Sequence, residues 1–282
     1  MFQRISNSWF LVKASAAVLS ADKELMVFPA ISAVLSVVVL ITFAVPSVLA
    51  GLFDSAALNE SGFPLAGYVV AFLFYVVQYF VIFFCNTALV GAALIRLRGG
   101  DPTVADGFRL AQSRVGHIFG YAVIAATVGV VLRAISERSG FIGKLVVSFV
   151  GLAWNLATFL VVPVLAAEDV GPLDAVKRSS AYLRKTWGEQ IVGTAGMGAV
   201  FGLISFATVI GGIALFIAAA ATQSAALMIA VAVGFVFTLM AIALVSSTLG
   251  GIYAAAVYRF AAEGDAGTFF SADMVRSAFR KK

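Results

Sequence analysis

Five stretches of this chain carry no Asp, Glu, Lys or Arg: residues 25–53, 61–95, 115–132, 145–167 and 190–258. A helix needs about 20 apolar residues to cross the roughly 30 Å hydrocarbon core of a bilayer. Four of the stretches hold one such helix each. The fifth carries Thr222-Gln223-Ser224 near its middle and holds two. The pattern therefore predicts an all-α, polytopic membrane protein with six transmembrane helices, centred near Val38, Tyr79, Ala126, Trp154, Phe206 and Met240. Composition agrees: 62% of residues are hydrophobic and 12% charged, against about 45–50% and 25% in soluble domains. A soluble enzyme, a disordered chain and a disulfide-rich secreted module are all excluded.

The basic residues fall on alternate connections. Arg4, Lys13 and Lys23 precede the first span, and Arg96, Arg98, Arg109 and Arg114 follow the second. Lys177, Arg178, Arg184 and Lys185 follow the fourth, and Arg259, Arg276, Arg280, Lys281 and Lys282 follow the sixth. Only Arg133, Arg138 and Lys144 belong to the other side. Lys and Arg concentrate in cytoplasmic loops, so the expectation is a multi-pass protein of the cytoplasmic membrane with both termini in the cytoplasm. Twenty-four residues precede the first apolar run, which is longer than a signal-peptide core; it reads as an uncleaved helix.

What precedes each pair of spans is repetitive. Gly100-Asp101-Pro102-Thr103-Val104-Ala105-Asp106-Gly107 and Gly171-Pro172-Leu173-Asp174-Ala175-Val176 both read as helix starts, with an acid at the cap and Pro in the first turn. Val12 to Leu19 matches Val176 to Leu183 at five of eight positions. The single domain 1–282 is therefore expected to hold three parallel repeats of a cytoplasmic amphipathic helix and a transmembrane hairpin. Their bounds are about 1–98, 99–168 and 169–262, with a last amphipathic helix at about 268–282. The expected apolar stripes are Phe2, Ile5, Trp9, Val12, Ala16 and Leu19; Val104, Phe108, Ala111 and Val115; and Leu173, Val176, Ser180, Leu183 and Trp187. Gly116/Gly120 and Gly198/Gly202 have the spacing of close helix contacts, and Pro46 and Pro163 are expected to kink the first and fourth spans.

Three groups of polar residues are candidates for function. Asn86 and Asn155 sit ten and 13 residues before Arg96 and Glu168, so Asn86 is about 15 Å from its charged end. With Ser247 and Thr248 they would form a mid-membrane polar ring, serving either as a solute path or as hydrogen bonding between helices. Glu168, Asp169, Lys177, Arg178, Arg184 and Trp187 are the candidate cytoplasmic interface. Arg133, Glu137 and Arg138 form an extracytoplasmic cluster in which Arg133 and Glu137, four apart, can pair. Cys85 and His117 are the only residues of their kind, which excludes an intramolecular disulfide and Cys- or His-rich metal sites. His117 shows no carboxylate partner, and no phosphate loop or catalytic constellation stands out.

Phe83-Phe84-Cys85-Asn86-Thr87-Ala88-Leu89, the Gly99–Gly107 segment, Val162-Pro163-Val164-Leu165-Ala166-Ala167-Glu168 and Gly171–Ser179 with Thr186-Trp187-Gly188-Glu189 resemble an uncharacterised prokaryotic family of six-span proteins. The likeness covers nearly the whole chain. More loosely the chain is similar to the membrane domains fused to glycerophosphodiester phosphodiesterases. The resemblance implies topology and assigns no residue a role. The expected function is non-enzymatic and needs no cofactor: organising lipids or partner proteins at the cytoplasmic leaflet. The alternative is a transporter of a small neutral or lipid-like solute. Expected partners are membrane lipids and a second copy or another membrane protein, with no nucleic acid.

Overall fold

The computed structural model describes residues 2–51, 65–187, 196–265 and 269–270, and among them all regular structure is helical. The helices are α1 (Phe2–Ala21), α2 (Val27–Leu49), α3 (Leu65–Leu97), α4 (Val104–Ser113), α5 (Val115–Arg138), α6 (Phe141–Ala157), α7 (Val161–Ala167), α8 (Pro172–Trp187), α9 (Gly196–Ala221) and α10 (Ala225–Glu263). Among the described residues, six helices are long and apolar enough to cross a membrane: α2, α3, α5, α6 joined with α7, α9 and α10. Every span centre expected from the charge-free stretches falls inside one of them. The polar break is the α9–α10 turn, where Gln223 takes positive φ and the Ser224 hydroxyl accepts from the Leu227 N–H.

The fourth span is interrupted rather than merely bent. Pro163 has no N–H to offer the Phe159 carbonyl, and its ring crowds that carbonyl, so the break falls at Thr158–Leu160, upstream of the proline. In hydrocarbon an unpaired backbone group costs several kcal/mol. Leu160 N–H is satisfied from another element: it donates to Ser179 Oγ on α8 at 3.0 Å. Pro46 has less effect, because α2 ends one turn after it, at Leu49.

Helices α3, α7 and α10 pack together at the end of the bundle that carries most of the charges. Around them α4 packs on α3, α8 on α7, and α1 on α9 and α10. Leu25, Phe28, Leu89, Leu97, Ile118, Leu160, Leu165 and Ile252 are fully buried there, with Ala111, Ala175 and Leu183 from the short helices. The core fades toward the far end. Helix α6 has no buried residue, and the buried residues of α10 begin at Thr248. Phe149, Phe206, Ile217, Ile229 and Phe237 are each at least 64% exposed, a surface that requires a hydrocarbon neighbour. At about 1.5 Å per residue, α3 and α10 are about 50 and 58 Å long, well beyond the hydrocarbon core. Their surplus length lies in the charged end.

The short helices bury part of each expected stripe, with Val12, Ala111 and Leu183 buried and Ala16, Leu19, Val104, Phe108 and Val176 packed against the core, while Trp9, Val115 and Leu173 are exposed. On α1 the buried residues are Leu11, Val12, Ala14, Ser15 and Val18, with Trp9 and Phe10 about half exposed. On α8 they are Ala175, Ser179 and Leu183, and Leu173 is outside. Ala14 and Ser15 on α1 and Ala175 and Ser179 on α8 allow close approach to the span ends, beside the larger Leu11, Val12, Val18 and Leu183. The start of α4 also differs. Thr103 is the N-cap and Pro102 stands before it, so Pro102 is not in the first turn, whereas Pro172 opens α8. The glycine spacings also find no general use. Gly116 and Gly202 have open space around them, and Gly120 touches only Pro172. Gly198 lies in the first turn of α9, and nearly all of the C-terminal helix expected at 268–282 lies outside the described residues, although Phe270 is buried.

Candidate functional site

The charged end is built as a collar of ion pairs that join elements distant in sequence. Glu168 directly follows α7, and its side chain is only 14% exposed. Its Oε1 accepts from the Tyr182 hydroxyl of α8 at 2.8 Å and from the Tyr258 hydroxyl of α10 at 2.9 Å, while Oε2 pairs with Arg178 of α8. One carboxylate therefore ties three helices together. The same charge and hydrogen bond raise the Arg178 pKa further.

Three further knots lie around it. Arg259 of α10 donates to the Leu97 carbonyl at the end of α3 and pairs with Glu263 and, at 2.6 Å, with Asp265. Arg98 reaches the same Glu263. Arg96 pairs with Asp22, between α1 and α2, at 3.3 Å, and also with Asp101. Asp22 is 5% exposed, so its pairing matters more than that of a solvated pair. On the third flank Arg114, between α4 and α5, pairs with Asp169, and His117 Nδ1 stands 4.0 Å from the same carboxylate. His117 thus has a carboxylate neighbour that sequence spacing did not reveal.

Helix α4 is fixed by its own start. Thr103 donates its hydroxyl (2.7 Å) and backbone N–H (3.1 Å) to Asp106, and Asp106 N–H returns a bond to the Thr103 hydroxyl at 3.2 Å. These bonds, the hydroxyl's first, hold the Asp106 carboxyl below the usual carboxylate range. A lowered folded value means the cap stabilises above the ordinary carboxylate pKa and fails as pH falls through the lowered one. Thr103→Ala is expected to cost about 1 kcal/mol, read as a lower melting temperature in detergent. In that variant the acid end of the stability profile should be shallower.

Tyr182 responds at the opposite end of the pH scale. Burial first, then the hydrogen bond and charge of Glu168, raise its hydroxyl pKa above the ordinary value, which is near 10. A raised folded value gives stability that is present below the ordinary pKa and is lost as pH rises through the raised one. Tyr182→Phe should therefore flatten the alkaline fall in stability, measured by unfolding midpoints across that window.

The other sequence-derived candidates are scattered. Lys177 pairs with Asp174 at 3.0 Å rather than with the acids after α7. Arg184 is exposed, and the Trp187 side chain lies outside the described residues. Asn86 is half-buried on α3, but Asn155 is exposed on α6, which packs on α5 and α8. Ser247 is exposed, and buried Thr248 donates its hydroxyl to the Leu244 carbonyl within its own helix at 2.8 Å. Arg133 donates to Glu137 at 2.8 Å and to the Tyr75 hydroxyl at 3.2 Å, with Arg138 exposed beside them. Sequence reasoning missed Asp22, Arg259, Tyr182 and Tyr258. The pairs Asp22–Arg96 and Glu168–Tyr258 lie 74 and 90 residues apart, and no local pattern signals them. Among the described residues no group of three or more His, Cys, Asp or Glu is placed to hold a metal ion.

A family model described as "Family of unknown function (DUF6159)" matches residues 65–269, most of the chain. The chain belongs to that family. The match begins at α3, yet the structure packs α1 and α2 into the same core as the DUF6159 region. No curated protein and no solved structure matches the chain, and the comparisons give no support to a likeness with glycerophosphodiester phosphodiesterase membrane domains.

Proposed function

We propose that this DUF6159 protein is a non-enzymatic module of the cytoplasmic membrane whose collar organises lipids or partner proteins at the cytoplasmic leaflet. Both termini then face the cytoplasm, in keeping with the positive-inside rule. The observation that carries this reading is the collar itself: short helices stitched to the ends of long spans, with Trp9, Phe10, Lys13, Lys23, Arg184 and Lys185 turned outward. Lys13 lies over the Trp9 ring at 5.9 Å, the kind of aromatic and basic surface that suits a headgroup layer.

The collar also narrows the charge argument. Arg96, Arg98, Arg109, Arg114, Lys177, Arg178 and Arg259 all pair with carboxylates. Attraction to an anionic leaflet, about 1 kcal/mol per basic residue near the surface, thus falls, among the basic side chains described at this end, to Lys13, Lys23, Arg184 and Lys185. Replacing those four by Gln should reduce anionic lipid co-purifying in native nanodiscs, while Arg109→Gln should not. Equal lipid content in both variants would rule out the lipid part of the proposal.

A threefold repeat is part of this reading. Supporting it, α1, α4 and α8 each pack on the second span of the unit before, with α1 closing onto α10. Leu11, Gly107 and Ala175 then take equivalent buried places, and so do Ser15, Ala111 and Ser179. This register pairs α4 with α8 by Asp106 and Asp174, not by the two prolines. A second reading, a carrier of a small neutral or lipid-like solute, is favoured by the broken fourth span. Interrupted helices in transporters mark binding sites.

A further inference from the structure

We propose that two copies of this chain pair in the membrane through α6, along a stripe made of Lys144, Ser148, Gly151 and Asn155. The stripe steps by four, three and four residues, the spacing of a helix face that meets a second helix at a shallow left-handed crossing. Ser148 and Asn155 are exposed and Gly151 is half-buried. A Cβ on Gly151 would meet only Leu132 Cδ1 of α5, at 4.0 Å, so a second helix can come close along this face. Asn155 stands 14 residues after the first residue of α6 and 13 before Glu168, about 20 Å of helix from either end. Its backbone carbonyl accepts from the Thr158 hydroxyl at 3.5 Å, but its side-chain amide makes no hydrogen bond among the described residues. The Ser148 hydroxyl is equally free, whereas the hydroxyls of Thr127, Thr208 and Thr238 each close onto a carbonyl one turn back. An amide without a partner is costly in hydrocarbon. At this depth the partner that removes the cost is another helix.

A comparable face is filled elsewhere in the molecule. Tyr79 and Asn86 on α3 are seven residues apart, as Ser148 and Asn155 are on α6, so each pair shares one helix face. On α3 that side takes α5: a Cβ on Gly129 would stand 3.6 Å from the Tyr79 hydroxyl, and Arg133 bonds the Tyr75 hydroxyl. On α6 the next span in sequence is α9, which packs on α10 and α1 instead. The α6 stripe is thus a surface for a transmembrane helix, and the chain's own spans leave it open. A second copy fits it because a carboxamide both donates and accepts. Across a two-fold axis along the membrane normal each residue meets its own counterpart, so each Asn155 gives one hydrogen bond and receives one. Ser148 matches itself in the same way. Lys144 ends the stripe, one turn into α6, where its long stem reaches water. A crossing point at Gly151, about 10 Å further in, lets the two helices diverge before their lysines meet.

The test uses the full chain in phosphatidylcholine vesicles at low protein density, with copies counted by single-molecule photobleaching. Most particles should bleach in two steps. Asn155→Ala should weaken pairing about tenfold, read as a shift of the monomer–dimer midpoint, with an unchanged melting temperature because the side chain is exposed. The contact is located with single cysteines in a Cys85→Ser background, each variant eluting as wild type from size exclusion. A disulfide needs Cα atoms within about 7 Å, so oxidation should join copies at Ser148→Cys and Asn155→Cys. It should not join them at Val146→Cys or Val150→Cys, which are exposed on the other flank of α6. Single bleaching steps at every density would leave the stripe to lipid and overturn the proposal. Dimers that crosslink at 146 or 150 and not at 148 and 155, or that ignore Asn155→Ala, would overturn it as well. Crosslinks from 148 or 155 to a different protein in native membranes, with the purified chain monomeric, would give the face to a foreign helix and overturn the second copy. None of these outcomes bears on lipid at the collar, which the four-site Gln variant reads separately.

Discussion

Gly107→Val is expected to unfold the collar or leave it several kcal/mol weaker. A Cβ at position 107 would lie 2.5 Å from the Phe28 ring and 2.7 Å from the Ala88 carbonyl oxygen. The carbonyl is backbone in the middle of α3, and the Phe28 ring is itself held, 1% exposed and 5.1 Å from the Phe108 ring. Neither neighbour can move cheaply, so α4 must lift away from α3. Overfilling a packed core costs about 1–3 kcal/mol for small additions. For Ala the gain in helix propensity, about 1 kcal/mol, offsets part of this; for Val the gain shrinks and the clash grows. The expected order of melting temperature in detergent is wild type, then Gly107→Ala, then Gly107→Val. Gly116→Ala is the control, because nothing lies within 4 Å of its added methyl, and it should match or slightly exceed wild type. If Gly107→Val melted like the control, the close approach of α4 to α3 would be refuted.

That contrast shows what the sequence could and could not disclose. Charge-free stretches located all six spans because burying a charge in hydrocarbon is costly wherever the helix points. Turn chemistry was legible too, as at Thr222-Gln223-Ser224. Which glycines matter was not legible. Gly116 and Gly120 have a recognised spacing and little contact, whereas Gly107 has no motif and a backbone carbonyl against it. Spacing reports a face of one helix; crowding depends on how close a second helix comes. The stripe on α8 went astray at Leu173 for a related reason. Hydrophobicity favoured Leu173 as an inward residue of α8, but close packing selected Ala175 and Ser179. In the collar, sequence placed Glu168 and Arg178, which pair, in one candidate interface, but gave neither the two tyrosine partners of Glu168 nor Arg114 as the partner of Asp169. Tyr258 looks like one more interfacial aromatic until α10 brings it to 2.9 Å from Glu168.

Glu168→Ala is the substitution expected to loosen the collar most through polar interactions. It leaves two tyrosine hydroxyls and one guanidinium without their shared acceptor, in a place where the carboxylate is only 14% exposed. Each orphaned buried donor costs about 1–3 kcal/mol; Arg178 adds less, because half of its side chain meets solvent and screening weakens it. A loss of about 3 kcal/mol follows if water replaces part of what is removed. Glu168→Gln separates charge from hydrogen bonding: its amide oxygen can still accept from a tyrosine, but its NH2 faces Arg178. It should therefore lose less than Ala, and the Tyr182 hydroxyl should titrate closer to its ordinary value in an absorbance titration of tyrosinate. The paired change Glu168→Ala with Tyr258→Phe should recover part of the loss, since removing both partners leaves no orphan at that position. Strictly additive losses would mean that Glu168 and Tyr258 do not act on one another, and α7 and α10 would have to be held by apolar packing alone. Recovery would establish the carboxylate as the link between the fourth and sixth spans. Any conformational change that separates those spans would then have to break it.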